Sequence, residues 1–159
     1  ASGTASEDMT LEEWDKIIRL NLTGSFLVSR EVGKHMIARR YGKIINTCSI
    51  QGIRCTMGMP GTPYNSSKGG DIMMVRSLAA EWAQYGITVN GIGPGYFPTD
   101  IDKEYLATDY FKGQLAMHCP MGRIGRDGEL NGVLIYFASD ASSYTTGQIM
   151  YVDGGWTLV

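Results

Sequence analysis

Tyr64 and Lys68 stand four positions apart at the start of a helix-forming run, with Ser49 upstream of them and Asn21 further upstream still. Four residues make about one helical turn, so a phenol and an ammonium at that spacing share a face. A cation beside a phenol favours the phenolate, and a phenol tuned that way exchanges protons with an alcohol or carbonyl near neutral pH. A nearby serine hydroxyl can hydrogen-bond the substrate oxygen as charge develops on it. Of the nine tyrosines, only Tyr64 has a Lys or Arg four positions on. Such pairs also recur by chance, so the elements that carry them must decide.

Those elements alternate between helix and strand. Thr10 with Glu13 has the pattern of a capping box, opening a helix over Leu11–Leu20 that continues to about Arg40 with a break near Asn21. A polar residue bridging backbone at that kink is the alternative role for Asn21. Lys43–Ser49 reads as a buried strand, followed by a long loop, Ile50–Pro63. Pro63 and Tyr64 open a helix over Asn65–Gln84, with small residues at Ser66, Ser67, Gly69 and Gly70 and a C-cap at Gly86. Ile87–Ile92 is a short β-branched run of the kind found in buried parallel strands, and it ends at Gly93-Pro94-Gly95. Lys103–Met117 is a further helical stretch, Asp127 is placed to cap a helix from Gly128 to Ala138, and Gln148–Val152 is the last strand. Alternating elements imply right-handed crossovers and a parallel sheet. Open α/β sheets bind ligands beyond the carboxyl ends of their strands, so Ser49 and Pro94-Gly95 are expected at one crevice. Taken alone, Ser49 and Thr99 fit capping or turn roles equally well.

The ordered motifs resemble the short-chain dehydrogenase/reductase family over nearly the whole chain. Asn21 lies in Asn-Leu-Thr-Gly-Ser-Phe, similar to the family's helical segment with a catalytic Asn. Gly42–Ser49 is similar to the strand ending in the catalytic Ser, and Tyr64-Asn-Ser-Ser-Lys68 matches Tyr-x-x-x-Lys. Pro94-Gly95-Tyr-Phe-Pro-Thr99 resembles the nicotinamide-contacting loop, and Val152-Asp-Gly-Gly155 the closing strand and turn. The resemblance implies Tyr64 as general acid in ketone reduction and general base in alcohol oxidation. Lys68 would support Tyr64 and hold the nicotinamide ribose, and Ser49 would orient the substrate oxygen. Asn21 would fix a water in a proton relay. Tyr64, Lys68, Pro94, Gly95, Phe97 and Thr99 would face the cofactor, NAD or NADP. The segment 97–120 would be a lid over the substrate.

The chain contains no Gly-x-x-x-Gly-x-Gly and no Gly-x-Gly-x-x-Gly after a strand. A Rossmann-like sheet binds pyrophosphate at such a loop. The resemblance therefore implies one partial domain over 1–159: the C-terminal portion of a doubly wound parallel sheet, its N-terminal phosphate-binding half absent from the chain. Such a portion would be inactive alone, its missing half would be its first partner, and its sheet would expose an edge where strands belong. The residues that choose NAD over NADP would lie in that half. A non-catalytic assembly subunit is the competing reading.

Other bounds are consistent. The 159 residues suffice for one core, and a formal charge of −2 without a basic stripe does not imply a nucleic-acid partner. No apolar run reaches the roughly 18 residues of a membrane span. Cys48, Cys55 and Cys119 lack metal-ligand spacing and read as reduced thiols of a cytoplasmic protein, with no metal site expected.

Tyr64 lies fifteen positions after Ser49, two more than the commonest family spacing, and this longer interval is similar to sugar-alcohol dehydrogenases and ketose reductases. Ala80-Glu-Trp-Ala-Gln-Tyr-Gly-Ile resembles gluconate 5-dehydrogenases. Both imply a polyol, ketose or sugar acid, with a 3-oxoacyl substrate as the alternative. Gln51, Arg54, Tyr96 and His118 are candidates to line the pocket, against ordinary surface or packing roles. The helices over Leu22–Arg40 and Asn65–Tyr85 resemble the pair through which family members form homodimers and homotetramers. Trp82, Met73 and Met74 would then meet a partner, unless they pack on the chain's own sheet.

Overall fold

The computed structural model describes residues 3–56, 58–99 and 103–158. Thr10 caps α1 (Leu11–Ile18), and its capping box with Glu13 is complete in both directions. The expected break near Asn21 is one wide π-helical turn, Arg19–Thr23, after which α2 runs from Gly24 to Arg39. Wide turns of this kind are frequent at functional sites because they re-aim a side chain within a continuous helix. The rest of the order is β1 (Gly42–Thr47), α3 (Thr62–Trp82), β2 (Ile87–Pro94), α4 (Lys103–Leu106), α5 (Asp109–His118), α6 (Asn131–Ala138) and β3 (Ile149–Val152).

The three strands form one parallel sheet in the order β1-β2-β3, with Gly42 opposite Ile87, Thr47 opposite Ile92, Gly91 opposite Ile149 and Pro94 opposite Val152. Among the described residues, β1 and β3 are its edges. Helices cover both faces, as a doubly wound sheet requires. On one side Ile44, Cys48, Ile87 and Val89 pack with Ile72, Val75, Leu78 and Ala79 of α3 and with Met36 and Ile37 of α2. On the other, Ile92 packs with Val133 and Phe137 of α6, with Ile45 and Val152 alongside. Alternate residues of β1 thus serve opposite layers.

Several boundaries differ from the expectation. Ser49 lies beyond β1 rather than within it and caps a short 3₁₀ turn, Ile50–Gly52. α3 begins at Thr62 with Pro63 in its first turn, so Tyr64 is inside the helix. β2 runs two residues further than Ile92, through Pro94. The single stretch 103–117 is two helices, α4 and α5; residues 100–102 of the proposed lid lie outside the described residues. Asp127 does not cap α6, which starts at Asn131 with no side-chain cap. Gly128 at φ 85° turns the chain there, and Arg123 and the Arg126 amide draw in Glu129. Trp82 packs on α2 at Gly33 and Met74 on the core, so these two face the chain's own interior, whereas Met73 is 56% exposed.

Two close approaches to α3 set the positions of Ser49 and Asn21. A Cβ on Gly52 would lie 2.7 Å from the Lys68 carbonyl oxygen, and one on Gly70 would lie 2.7 Å from Leu22 Cδ2. At 52 only glycine lets the turn after Ser49 come this near the helix backbone, whereas at 70 the glycine gives room to the Leu22 side chain of the wide turn.

Gly52→Ala should therefore destabilise the fold by about 1–3 kcal/mol, because backbone must shift to admit the methyl; urea unfolding of the variant against the parent checks this, and equal midpoints would refute it. A second expectation concerns acid. Glu129 accepts both guanidinium nitrogens of Arg123 at 2.8 Å, and this pairing, with the Arg126 amide, holds its carboxyl well below the usual range, at about 2. A carboxyl with a depressed folded pKa contributes stability above its unfolded value, and the contribution disappears as pH falls through the folded one. Glu129→Gln should thus lower Tm at pH 7, and the gap to the parent should close between about pH 4.5 and 2. Melting curves across that range measure it.

Candidate active site

The first two turns of α3 are the floor of the site. Ser67, fully buried, donates to the Tyr64 carbonyl oxygen at 2.7 Å and accepts from Asn21 Nδ2 at 3.0 Å. The wide turn therefore ties directly to the turn of helix that carries Tyr64. Asn21 also keeps its backbone occupied, since its carbonyl oxygen accepts from Ser25 at 2.6 Å. Asn21 thus sits at the kink, and its side chain bonds a serine hydroxyl rather than backbone. It reaches Ser67, which sequence reasoning did not single out.

Lys68 lies one turn beyond Tyr64 on the same face, with Nζ 6.0 Å from the centre of the Tyr64 ring. Its ammonium donates to the Thr47 carbonyl oxygen at 2.8 Å and to Asp71 Oδ2 at 3.1 Å. The lysine side chain is 13% exposed and the aspartate 1%. The cation is thereby held between the carboxyl end of β1 and its own helix. Asp71 was also missed, although the signal was present. Ser67, Asp71, Val75 and Leu78 recur at helical spacing and are all buried, so a carboxylate occupies a core position three residues after the lysine.

Ser49 follows β1 in extended conformation, 7% exposed, with Oγ accepting from the Gln51 amide at 3.1 Å. The capping role is real, and it uses only an acceptor site. A serine hydroxyl keeps one O–H to donate elsewhere. Cys48, just before it, hydrogen-bonds to the Ile92 carbonyl oxygen at 2.7 Å, and Gly95 to Val152 at 3.0 Å. The ends of all three strands are thus stitched together next to Ser49, which brings it to the same edge of the sheet as Pro94 and Gly95.

The candidate pocket residues gather around one that sequence reasoning passed over, Trp156. It is 2% exposed and directly follows Val152-Asp-Gly-Gly155. Asp153 builds that turn by accepting from the Gly155 and Thr157 amides at 2.9 Å each. Tyr96 lies 4.8 Å from the Trp156 ring, His118 6.0 Å, and the Arg54 guanidinium 5.8 Å. Arg54 also donates to the Trp156 carbonyl oxygen. Gln51 Nε2 bonds Thr56 at 2.8 Å and the Tyr96 hydroxyl at 3.3 Å. Its Oε1 is buried and has no partner among the described residues. Tyr96, Arg54 and His118 thus pack around Trp156, and Ile50, the residue after Ser49, belongs to the same cluster. Phe97 points the other way, against Gly125, where it lines a cavity of about 280 Å³ with Tyr96, Met121, Arg123 and Asp153. Thr99 is exposed at the end of a described stretch. No cluster of three or more metal-ligating side chains occurs among the described residues.

Residues 2–157 match the family model described as enoyl-(acyl carrier protein) reductase. Gluconate 5-dehydrogenase of Gluconobacter oxydans (strain 621H) is 36% identical over 153 residues, a match covering 96% of this chain and 59% of that protein. NADP-dependent mannitol dehydrogenase of Alternaria alternata is 40% identical over 151 residues, covering 95% and 56%. The crystal structure of a gluconate 5-dehydrogenase from Burkholderia cenocepacia J2315, in complex with NADP and tartrate, superposes with a TM-score of 0.93 at 38% identity, covering 98% of this chain and 60% of that one. The chain spans about three-fifths of the length of these relatives. With the parallel sheet, the wide turn at Asn21 and the Tyr64–Lys68 face, these matches establish that the chain belongs to the short-chain dehydrogenase/reductase family.

Proposed function

We propose that the protein interconverts a secondary alcohol and a ketone with a nicotinamide cofactor, NAD or NADP, and that its substrates are polyols, ketoses or sugar acids. The observation that carries this reading is the convergence on α3. Asn21, Ser67 and Tyr64 form one hydrogen-bonded chain, and Lys68 stands beneath the Tyr64 ring.

The residues fit the nicotinamide end of such a cofactor. Lys68 has three N–H donors, of which Thr47 and Asp71 take two, leaving one for a ribose hydroxyl. Pro94 and Gly95 lie at the carboxyl end of β2, where a ring can rest, with Phe97 and Thr99 following. The cofactor's chemistry is to give or take a hydride at the substrate carbon. In ketone reduction, Ser49 donates its free O–H to the carbonyl oxygen, and Tyr64 gives that oxygen its phenolic proton. In alcohol oxidation the same groups work in reverse, and Tyr64 takes the hydroxyl proton. Lys68 offsets the charge left on the tyrosine oxygen, and Asn21 braces the Tyr64 turn through Ser67. Residues 97–99 and 103–120 close over the substrate, and helices α2 and α3 offer the surface for a homodimer or homotetramer.

The substrate class rests on two supports. The named relatives include a gluconate 5-dehydrogenase and a mannitol dehydrogenase. Gln51 Oε1, an unpaired buried acceptor two residues from Ser49, suits a substrate carrying further hydroxyls. An acyl-carrier substrate is the second reading, favoured by the description of the matched family model.

The test uses the polypeptide at its natural length, with gluconate, 5-ketogluconate, mannitol, fructose and an acetoacetyl thioester as substrates. Turnover of a sugar-derived substrate is expected. Tyr64→Phe should lower kcat by about 10²–10⁴-fold, the range for losing a general acid–base, while cofactor affinity changes little. Unimpaired Tyr64→Phe would refute the mechanism, and turnover of the thioester alone would refute the substrate class.

A further inference from the structure

A carboxylate in the core of a helix–sheet interface needs a reason. Asp71 is 1% exposed, and its Oδ1 has no hydrogen-bond partner among the described residues. Burying a charge with one oxygen unmet is costly, and replacing a whole buried ion pair by apolar residues is often neutral or stabilising. Val75 and Leu78 on the same buried stripe show what packing alone would select there. Its other oxygen, Oδ2, is 3.1 Å from Lys68 Nζ, on the cation assigned to the reacting tyrosine. The second acceptor of that ammonium is a backbone carbonyl, that of Thr47, at 2.8 Å.

We infer that Asp71 is a positioning residue: it clamps the Lys68 ammonium against the end of β1 so that one N–H stays aimed at the site. This rests on the proposed reaction for its purpose, though not for its geometry. A lysine on a four-carbon stem has many rotamers, and a single carbonyl does not choose among them. Two acceptors from two elements, a helix carboxylate and a strand carbonyl, fix the nitrogen in place. The charge balance is local. Burial pushes the Asp71 carboxyl up while Lys68 draws it down, and the neighbouring Cys48 thiol is pushed up to about 11 by burial and then by Asp71, so the thiol stays neutral beside the pair. The clamp also explains why Asp71 lies three residues from Lys68: a turn of helix brings the carboxylate under the ammonium without a detour.

The test is brief acetylation with acetic anhydride, read at each lysine by mass spectrometry in the natural polypeptide. Lys43 is the internal reference, because its side chain is 10% exposed against 13% for Lys68 and it pairs elsewhere, with Asp140 at 3.7 Å. Asp71→Asn keeps the shape and removes the charge. It should raise Lys68 labelling by roughly tenfold, as loss of a charged hydrogen bond implies, with Lys43 unchanged. Asp71→Val, which removes both oxygens, should raise Lys68 labelling in the same way with a lowered Tm, since the ammonium loses its carboxylate, and it stands in if the Asn variant does not fold. Unchanged Lys68 labelling would overturn the clamp, and so would a parallel rise at Lys43, which signals general loosening. In the alcohol–ketone assay, Asp71→Asn should lower kcat about tenfold through misplacement of Lys68. A parent protein with no turnover would remove the proposed function and leave the labelling ratio to decide on the clamp.

Discussion

The site depends on how closely other backbones can approach the first turns of α3. A side chain at 52 would hold the Ser49 turn away from the helix backbone, and one at 70 would press on Leu22 of the Asn21 turn. With glycine at both places, the helix receives the strand end on one flank and the wide turn on the other. Tyr64, Ser67 and Lys68 are then within reach of groups far away in sequence. Packed interiors are as dense as organic crystals, so this geometry has no slack. The precision of the site is a packing property before it is a chemical one.

The chemistry comes from how polar groups are satisfied within that packing. Each takes part in a small closed set: Asn21 with Ser67, Ser67 with the Tyr64 carbonyl, Lys68 with Thr47 and Asp71, and Ser49 with Gln51. The capacity left over after these bonds is informative. Ser49 keeps a donor, Lys68 keeps a donor, and Gln51 keeps an acceptor. A substrate oxygen, a ribose hydroxyl and further substrate hydroxyls are what these groups can hold. Trp156 supports the opposite wall by packing, with Tyr96, Phe111 and Arg54 around it.

Much of this was legible in the sequence, for physical reasons. The capping box at Thr10, the β-branched runs of β1 and β2, and the small residues of α3 are local signals, and they placed those elements close to where they lie. The break near Asn21 is visible in the sequence, but the wide turn's contacts, Leu22 against Gly70 and Asn21 with Ser67, join residues distant in the chain. Asp127 has the chemistry of a cap, yet Glu129 is claimed by Arg123 and the chain turns at Gly128, so α6 starts later. Trp156 and Asp71 were missed for different reasons. The role of the first exists only once Arg54 and Tyr96 arrive from elsewhere in the chain. The second is readable from its place on a buried stripe three residues after Lys68, where only its bond to the ammonium makes the carboxylate's role plain.

The most direct test of this chemistry is a crystal structure of the natural polypeptide with NADP and a ketose or sugar acid. The nicotinamide ring is expected against Pro94-Gly95, a ribose hydroxyl on Lys68, and the substrate oxygen within hydrogen-bond reach of both Ser49 and Tyr64. A nicotinamide seated elsewhere, with Tyr64 and Lys68 touching neither cofactor nor substrate, would contradict it.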